Sequence, residues 1–475
     1  MRQNKAYLTI KKMAPKKRDA KQRISDFNPT YYIFNKDEAQ NQSLRCLKCP
    51  IDLLKGMSSE FNFCKTGCPL ENKIPIWIEE VKRGNIKEAF KCSNETSPFP
   101  EILGMVCPQD ILCQGACTIA KTEMGSVTIG AIEVYLNEQA FKMGLMPDYG
   151  QKKEKIGKKV AIIGSGPAGM SCATFLLRAG IGVDMFEKSD RPGGLLTYGI
   201  PNFKIQKNVI LRRFNWMQEA GLNLHLDTDI NSSKQIKDML DKYDAIFIGL
   251  GAPKSKNANL KNEDAHGVYH VMDILRHAQK RVFQDFYESI LENKNVVIIG
   301  GGDSAMDAVR TSIRMRAKSV RCVYRRDEKS MPGSRKEVVN AKEEGALFEF
   351  NASPKEVIVD QQYRVKGLLC QKTKLVDSDN SIRKKLIVLE DSDFSLECDI
   401  IILALGFDNY VFPWYDTAEI NTGKWGEIIV DKDKRTSNKR VFAGGDSVRG
   451  ADLAVTAAAD GKKAAFSIIN DFIKN

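Results

Sequence analysis

The chain has 475 residues, of which 43% are hydrophobic and 28% charged, and a formal net charge of +12. That length predicts two to four domains with large cores, and the composition is that of a soluble protein. No apolar run approaches the roughly 20 residues that span a bilayer, and no hydrophobic signal core opens the chain, so a cytoplasmic protein with no membrane partner is expected.

The excess charge is concentrated at the start, where residues 1–40 hold ten Lys/Arg against four Asp/Glu. Lys16-Lys17-Arg18 has the composition of a nucleic-acid patch, but no helix-turn-helix or Cys/His finger pattern accompanies it. The segment reads as a basic, poorly ordered N-terminal arm, and no nucleic-acid partner is expected.

Residues 41–150 follow as a cysteine-rich helical segment. Eight of the twelve cysteines fall before residue 120. In a cytosolic chain such a cluster indicates metal binding rather than disulfides. Helical patterns run over residues 74–90 and 128–143, with the Thr128 hydroxyl placed to cap the second. Residues 147–159, with Pro, Gly and five Lys, read as a linker.

The first dinucleotide-binding pattern starts at residue 160 and defines a domain over 156–290. An apolar strand (160–163) leads into Gly164-Ser165-Gly166-Pro167-Ala168-Gly169, then a helix (170–179) and a second strand (181–186) ending on Glu187-Lys188. Gly164 permits the tight turn, Gly166 lets a pyrophosphate approach the backbone, and Gly169 lets helix and strand pack closely. The helix N-terminus favours phosphate, and Glu187 falls where a carboxylate meets ribose hydroxyls. The glycine-rich stretch Gly193-Gly194-Leu195-Leu196 to Tyr198-Gly199 allows a loop to lie against a flat ligand. Ile230 and Gly251, the latter just past a strand at 245–250, complete the set expected of this unit.

The motif recurs over 291–406. A strand (296–299), the turn Gly300-Gly301-Gly302-Asp303-Ser304-Ala305, a helix (306–316) and a strand (320–324) form a second unit. This one ends on Arg325-Arg326 where the first has an acid, which suits the 2′-phosphate of NADPH. Residues 407–475 return to the first unit. There Gly445-Asp446 offers a carboxylate near a ribityl chain or pyrophosphate. An Ala-rich helix over about 452–473, with Val455 and Thr456 in its first turn, points its positive end at a flavin. The fold class expected is α/β, with two Rossmann-like units behind a small helical cysteine domain.

The cysteines group as Cys46-x2-Cys49, Cys64-x3-Cys68 and Cys107-x5-Cys113-x3-Cys117, with Cys92 apart as an ordinary packed thiol. Structural zinc favours four Cys/His ligands in paired x2 spacings, and only one such pair is present. Seven thiolates beside prolines fit iron–sulfur ligation better, with zinc the alternative. Seven also leaves a second four-iron cluster one ligand short.

The motif order resembles the flavin-dependent pyridine-nucleotide oxidoreductases, in which the first unit binds FAD and the second NADPH. Many disulfide reductases of that class carry a cysteine pair beside the flavin. Cys172, Cys322, Cys370 and Cys398 form no such pair, so electrons must leave another way. RCLKCP, CKTGCPLENKIPIW, FPEILGMVCPQDILCQGACTI, GGLLTYGIPNFK, GGGDSAMDAVRTSIR, YRRDEKSMPGSRKEVV and FAGGDSVRGADLAVTAAADGKKAA are similar to the glutamate synthase small (β) subunit family, from about residue 44 onward. The cysteine segment and flavin unit also resemble the N-terminal part of dihydropyrimidine dehydrogenase. The resemblance implies two 4Fe-4S clusters, one on Cys46, Cys49, Cys64 and Cys117, the other on Cys68, Cys107 and Cys113 with Glu133 as fourth ligand. It implies an electron path from NADPH through FAD and the clusters to a glutamate synthase large subunit. No catalytic acid or base is indicated. Rival readings keep the chemistry and change the acceptor to a pyrimidine reductase subunit or ferredoxin, or make the protein a zinc-stabilised flavoprotein interaction module. One departure stands out: residues 50–63 separate Cys49 from Cys64 where the family usually has four residues, a surplus that reads as a surface insertion.

Overall fold

The computed structural model describes residues 5–49, 64–151, 153–285, 288–378 and 381–474. The expected insertion at 50–63 lies outside them.

Two parallel five-stranded sheets carry the dinucleotide units. The first runs in the order Val441–Ala443, Ala245–Ile248, Lys159–Ile163, Gly182–Phe186, Leu222–His225. The second runs Val268–His270, Ile400–Leu403, Asn295–Ile299, Ser319–Tyr324, Leu347–Phe350. Their central strands are short, apolar and mostly buried, as parallel sheets covered on both faces require, while the edge strands Leu222–His225, Val268–His270 and Leu347–Phe350 are only partly so. The second sheet is inserted between Ala245–Ile248 and Val441–Ala443 of the first. It begins earlier than the expected residue 291. Val268–His270 pairs with Ile400–Leu403, and Val271, Ile274, Leu275 and Ala278 of the following helix enter its core. That boundary is set by strand pairing over 130 residues away, which local sequence does not register. An antiparallel three-stranded sheet (Ala352–Val359, Val365–Ser378, Ser381–Glu397) flanks the unit.

The helix Ala454–Lys474 lies on the helix Pro167–Arg178. Contact is close because both offer small residues: a Cβ on Gly461 would stand 2.0 Å from the Ala168 carbonyl oxygen. The cysteine domain is helical. The single pattern expected over 74–90 is two helices, Ile74–Arg83 and Ile86–Thr96, separated by Gly84 at φ +80°. Left-handed backbone ends a helix, and glycine adopts it without strain. Thr128 precedes the helix Ile129–Lys142 but makes no side-chain cap; its hydroxyl donates 2.8 Å to the Met13 carbonyl instead.

That bond belongs to the largest correction. The described part of the N-terminal segment, from residue 5, is not poorly ordered: Arg23 and Ala39 are fully buried and Thr30 and Phe34 nearly so. Its positive charges meet carboxylates of the second unit, including Lys17–Glu343 at 2.8 Å and Arg23–Glu343 at 2.6 Å. Composition could not separate a solvated basic tail from one whose charges are paired across the fold.

A cavity shared by the dinucleotide units and the cysteine domain

The turn Gly164–Gly169 sits at the carboxyl end of the first sheet, where open α/β sheets bind ligands. Gly164 has φ +98°, and a Cβ there would meet the Gly249 carbonyl oxygen at 2.4 Å. A Cβ on Gly169 would stand 2.0 Å from the Gly164 carbonyl oxygen, whereas at Gly166 it would meet no protein atom. Gly169 is therefore glycine for packing, and Gly166 leaves a cradle open. The helix that follows has no side-chain cap, so its first N–H groups are left for a ligand. Glu187 is buried and fixed: its carboxylate accepts from the Ser165 amide at 3.1 Å, the Ser165 hydroxyl at 2.5 Å and the Ser189 amide at 2.9 Å.

These residues open on one cavity of about 1060 Å³. Gly164, Gly166, Pro167, Ala168, Glu187, Lys188, Gly194, Leu195, Leu196, Gly199, Ile230, Gly251, Gly445 and Asp446 line it, joined from the second unit by Asp303 and Ser304. The volume exceeds that of a typical single-ligand pocket. Ser165 lies behind the lining, where its hydroxyl also accepts from the Gly193 amide at 2.9 Å. Val455 turns into the core, and the Thr456 hydroxyl donates 2.6 Å to the Leu453 carbonyl; Leu453, Ala454 and Ala457 face the cavity instead. Burial pushes the Asp446 carboxyl up to about 7.

In the second unit, Gly302 precedes the helix Asp303–Arg314 and, like Gly166, has open space where a Cβ would go. Gly300 (φ +147°) is required by the Ala404 carbonyl oxygen, 2.3 Å from its would-be Cβ, and Ala305 is core. Arg325 is exposed at the end of Ser319–Tyr324 beside Arg326, whose Nε is buried with no hydrogen-bond partner among the described residues. Neither arginine lines the large cavity.

Sequence reasoning passed over a pair that bridges the units inside this cavity. Lys204 of the first donates 2.9 Å to Asp307 of the second. Burial works against the Lys204 ammonium, but Asp307, Glu337 and Asp303 together hold its pKa above the usual range. Both residues stand in motifs already singled out, GGLLTYGIPNFK and GGGDSAMDAVRTSIR; only the fold brings them together.

At its other end the cavity reaches Met105, Val106 and Cys107. Cys46, Cys49, Cys64 and Cys117 face a separate small cavity walled by Ile74, Ile78, Ile119 and Ile129. Cys68, Cys107, Cys113 and Glu133 are near enough to perturb one another's charge. Among the described residues no group of three or more Cys, His, Asp or Glu closes around a point as one bound ion demands. Four thiols spread around one apolar cavity fit the wider span of a cluster better than a single ion. Burial pushes the Cys46 thiol up to about 12 and holds Cys107 and Cys113 well above the usual value, so a positive centre is needed to make thiolates of them. Glu133 is no exposed helix residue. It is 8% exposed, and Asn72 Nδ2 donates 2.8 Å to one oxygen. Cys172, Cys322, Cys370 and Cys398 are buried, unpaired thiols.

Residues 158–461 match the family model described as Pyridine nucleotide-disulphide oxidoreductase. Residues 23–145 match Dihydroprymidine dehydrogenase domain II, 4Fe-4S cluster, which favours iron–sulfur over zinc in the cysteine domain. The Glutamate synthase (NADPH) small chain of Escherichia coli (strain K12) is 41% identical over 98% of this chain and 98% of its own length. The Putative oxidoreductase AegA of the same organism is 44% identical over 96% of this chain and 69% of its own. Among solved structures, Mycobacterium tuberculosis FprA in complex with NADPH superimposes with a TM-score of 0.56 at 17% identity, over 67% of this chain and 85% of that one, a likeness of fold. No helix is long and apolar enough to cross a membrane among the described residues. With relatives this similar along nearly its whole length, the chain belongs to the glutamate synthase small-chain family, and it is a pyridine-nucleotide oxidoreductase with an iron–sulfur domain.

Proposed function

We propose that the chain is the NADPH-oxidising electron-transfer subunit of a cytoplasmic glutamate synthase. Reducing equivalents would pass from NADPH through FAD and two 4Fe-4S clusters to a large subunit that makes glutamate from glutamine and 2-oxoglutarate. The observation that carries this is the single cavity running from Asp303 and Ser304, past the first glycine turn, to Cys107.

When bound, the flavin supplies the exchange between a hydride and single electrons, and the clusters carry those electrons singly. The chain holds and separates. The uncapped helix after Gly166 takes the FAD pyrophosphate, and Glu187, locked by Ser165 and Ser189, takes a ribose hydroxyl. Gly194 to Gly199, Ile230 and Gly251 bound the remainder, with Gly445-Asp446 beside Ala168 at the start of the helix after Gly166. Gly300, Gly302, Asp303, Ser304 and Ala305 form the NADPH turn, and Arg325 with Arg326 receives the 2′-phosphate. Cys46, Cys49, Cys64 and Cys117 hold one cluster. Cys68, Cys107, Cys113 and Glu133 hold the other, which stands on the flavin side because Cys107 lines the cavity. No side chain acts as acid or base.

Co-purification of a large subunit under anaerobic conditions, followed by an assay with glutamine and 2-oxoglutarate, tests the partner. A complex that oxidises NADPH but forms no glutamate would transfer the reading to another acceptor. That second reading is favoured by the 44% identity to a relative named an oxidoreductase and not a glutamate synthase. An unchanged NADPH-to-NADH preference in the Arg325→Ala, Arg326→Ala double variant would remove those two residues from the 2′-phosphate site.

A further inference from the structure

We propose that residues 17–34 are a strap holding the second dinucleotide unit at one orientation against the first, with Arg23 a positioning residue for hydride passage between the two bound nucleotides. This rests on the function proposed above and adds a role for a segment that function does not use.

The units are joined covalently by two crossings, between residues 248 and 268 and between 403 and 441. Two crossings permit one unit to turn against the other. Hydride passage does not tolerate such turning, because reacting atoms must lie ~3–3.5 Å apart and a misplacement of about 1 Å can cost ~10²-fold in rate. Something must therefore hold the orientation.

The strap crosses that seam. Thr30 grips both sides: its amide donates 3.0 Å to the Phe203 carbonyl of the first unit, and its hydroxyl accepts from Arg310 of the second at 2.7 Å. Asn202 Nδ2 donates 2.9 Å to the Phe27 carbonyl, and the Tyr31 hydroxyl donates 3.1 Å to Asn340 Oδ1. Arg23, fully buried, lies 2.8 Å from Glu344 and 2.6 Å from Glu343. Pro29, Thr30, Tyr31 and Phe34 line the shared cavity, so the strap also roofs it. The chain just before the strap is anchored on the cysteine domain, where the Met13 amide donates 3.1 Å to Gln42 Oε1.

The charge balance marks the strap as separable. Within the second unit Arg310 and Arg314 already face Glu337 and Glu344. Glu343, the further partner of Arg23, is 40% exposed and can be hydrated. Removing Arg23 frees the strap without stranding a buried charge.

The test is stopped-flow bleaching of the bound flavin by saturating NADPH, with amide hydrogen exchange as a second readout. In Arg23→Ala the bleaching rate falls tenfold or more, NADP+ affinity and flavin content stay as in the wild type, and exchange rises over 17–34 and 335–343. Arg23→Lys restores part of the rate. Tyr31→Phe, which removes one hydrogen bond at the seam, lowers it by a smaller factor. A wild-type bleaching rate in Arg23→Ala with raised exchange over 17–34 overturns the positioning role. So does a loss in both variants that follows flavin content alone. If NADPH fails to bleach the wild type, the proposed function falls and takes this role with it.

Discussion

Arg213 is the best place to test how the cysteine domain is attached. It stands on the helix Lys207–Glu219 of the first unit, is fully buried, and makes two bonds to the equally buried Glu101, at 2.5 and 2.6 Å. It also donates to Asn94 at 2.8 Å and Tyr149 at 3.1 Å, both outside its own unit. Arg213→Met removes the cation and leaves a carboxylate in a closed interface. Breaking a buried pair in this way costs ~3–5 kcal/mol, because the partner's desolvation is no longer offset. Replacing both residues in Arg213→Met, Glu101→Leu removes the stranded charge and is expected to recover most of that loss. Denaturant unfolding of wild type, both single variants and the double gives the coupling directly, with protection of 100–106 and 207–219 in hydrogen exchange locating it. A single variant costing less than about 1 kcal/mol, or a double variant as unstable as the sum of the singles, would refute the view that this pair seals the interface.

Other outcomes follow from the same geometry. Gly166→Val is expected to give a folded protein with no flavin, since its side chain enters only the cradle, whereas Gly169→Val fails to fold because its Cβ starts 2.0 Å from a carbonyl oxygen; melting midpoint and absorbance near 450 nm separate the two. Cys64→Ser and Glu133→Leu should each roughly halve iron and acid-labile sulfide per chain, with Cys92→Ser as the unaffected control; full iron content in Glu133→Leu removes it from the ligand set. In the cofactor-free protein Asp446 holds its proton up to about pH 7, beyond the usual Asp value near 3.8, so the folded state binds more protons than the unfolded one across that window. Stability therefore falls as pH rises from about 4 to 7, by up to ~1.4 kcal/mol per pH unit from this group, and Asp446→Asn flattens that slope in pH-dependent unfolding.

How much was legible in advance depended on how local the physics was. Glycine turns at Gly164–Gly169 and Gly300–Ala305 announce themselves because backbone conformation and close packing restrict Gly164, Gly169 and Gly300 to glycine, and because an approaching phosphate, not the protein, keeps Gly166 and Gly302 bare. Parallel strands announce themselves because burial on both faces demands short apolar runs. Cysteine spacing marked a metal-binding domain for the same reason: ligands come in tight local pairs. The sequence by itself thus determined the fold class, the duplicated dinucleotide unit and the chemistry of the cysteine segment.

Tertiary structure decided what pairs with what. Lys204 and Asp307 are 103 residues apart, Arg213 and Glu101 are 112, and Arg23 and Glu343 are 320. Each charge read alone is a solvated surface residue; the fold takes water from both partners of the first two pairs and from Arg23 in the third, whose partner Glu343 stays 40% exposed. The basic arm became a packed strap, and the helix glutamate at 133 became a buried residue facing cysteines, for that reason. Burial and pairing are properties of the assembled molecule, and nothing in a residue's own neighbourhood encodes them.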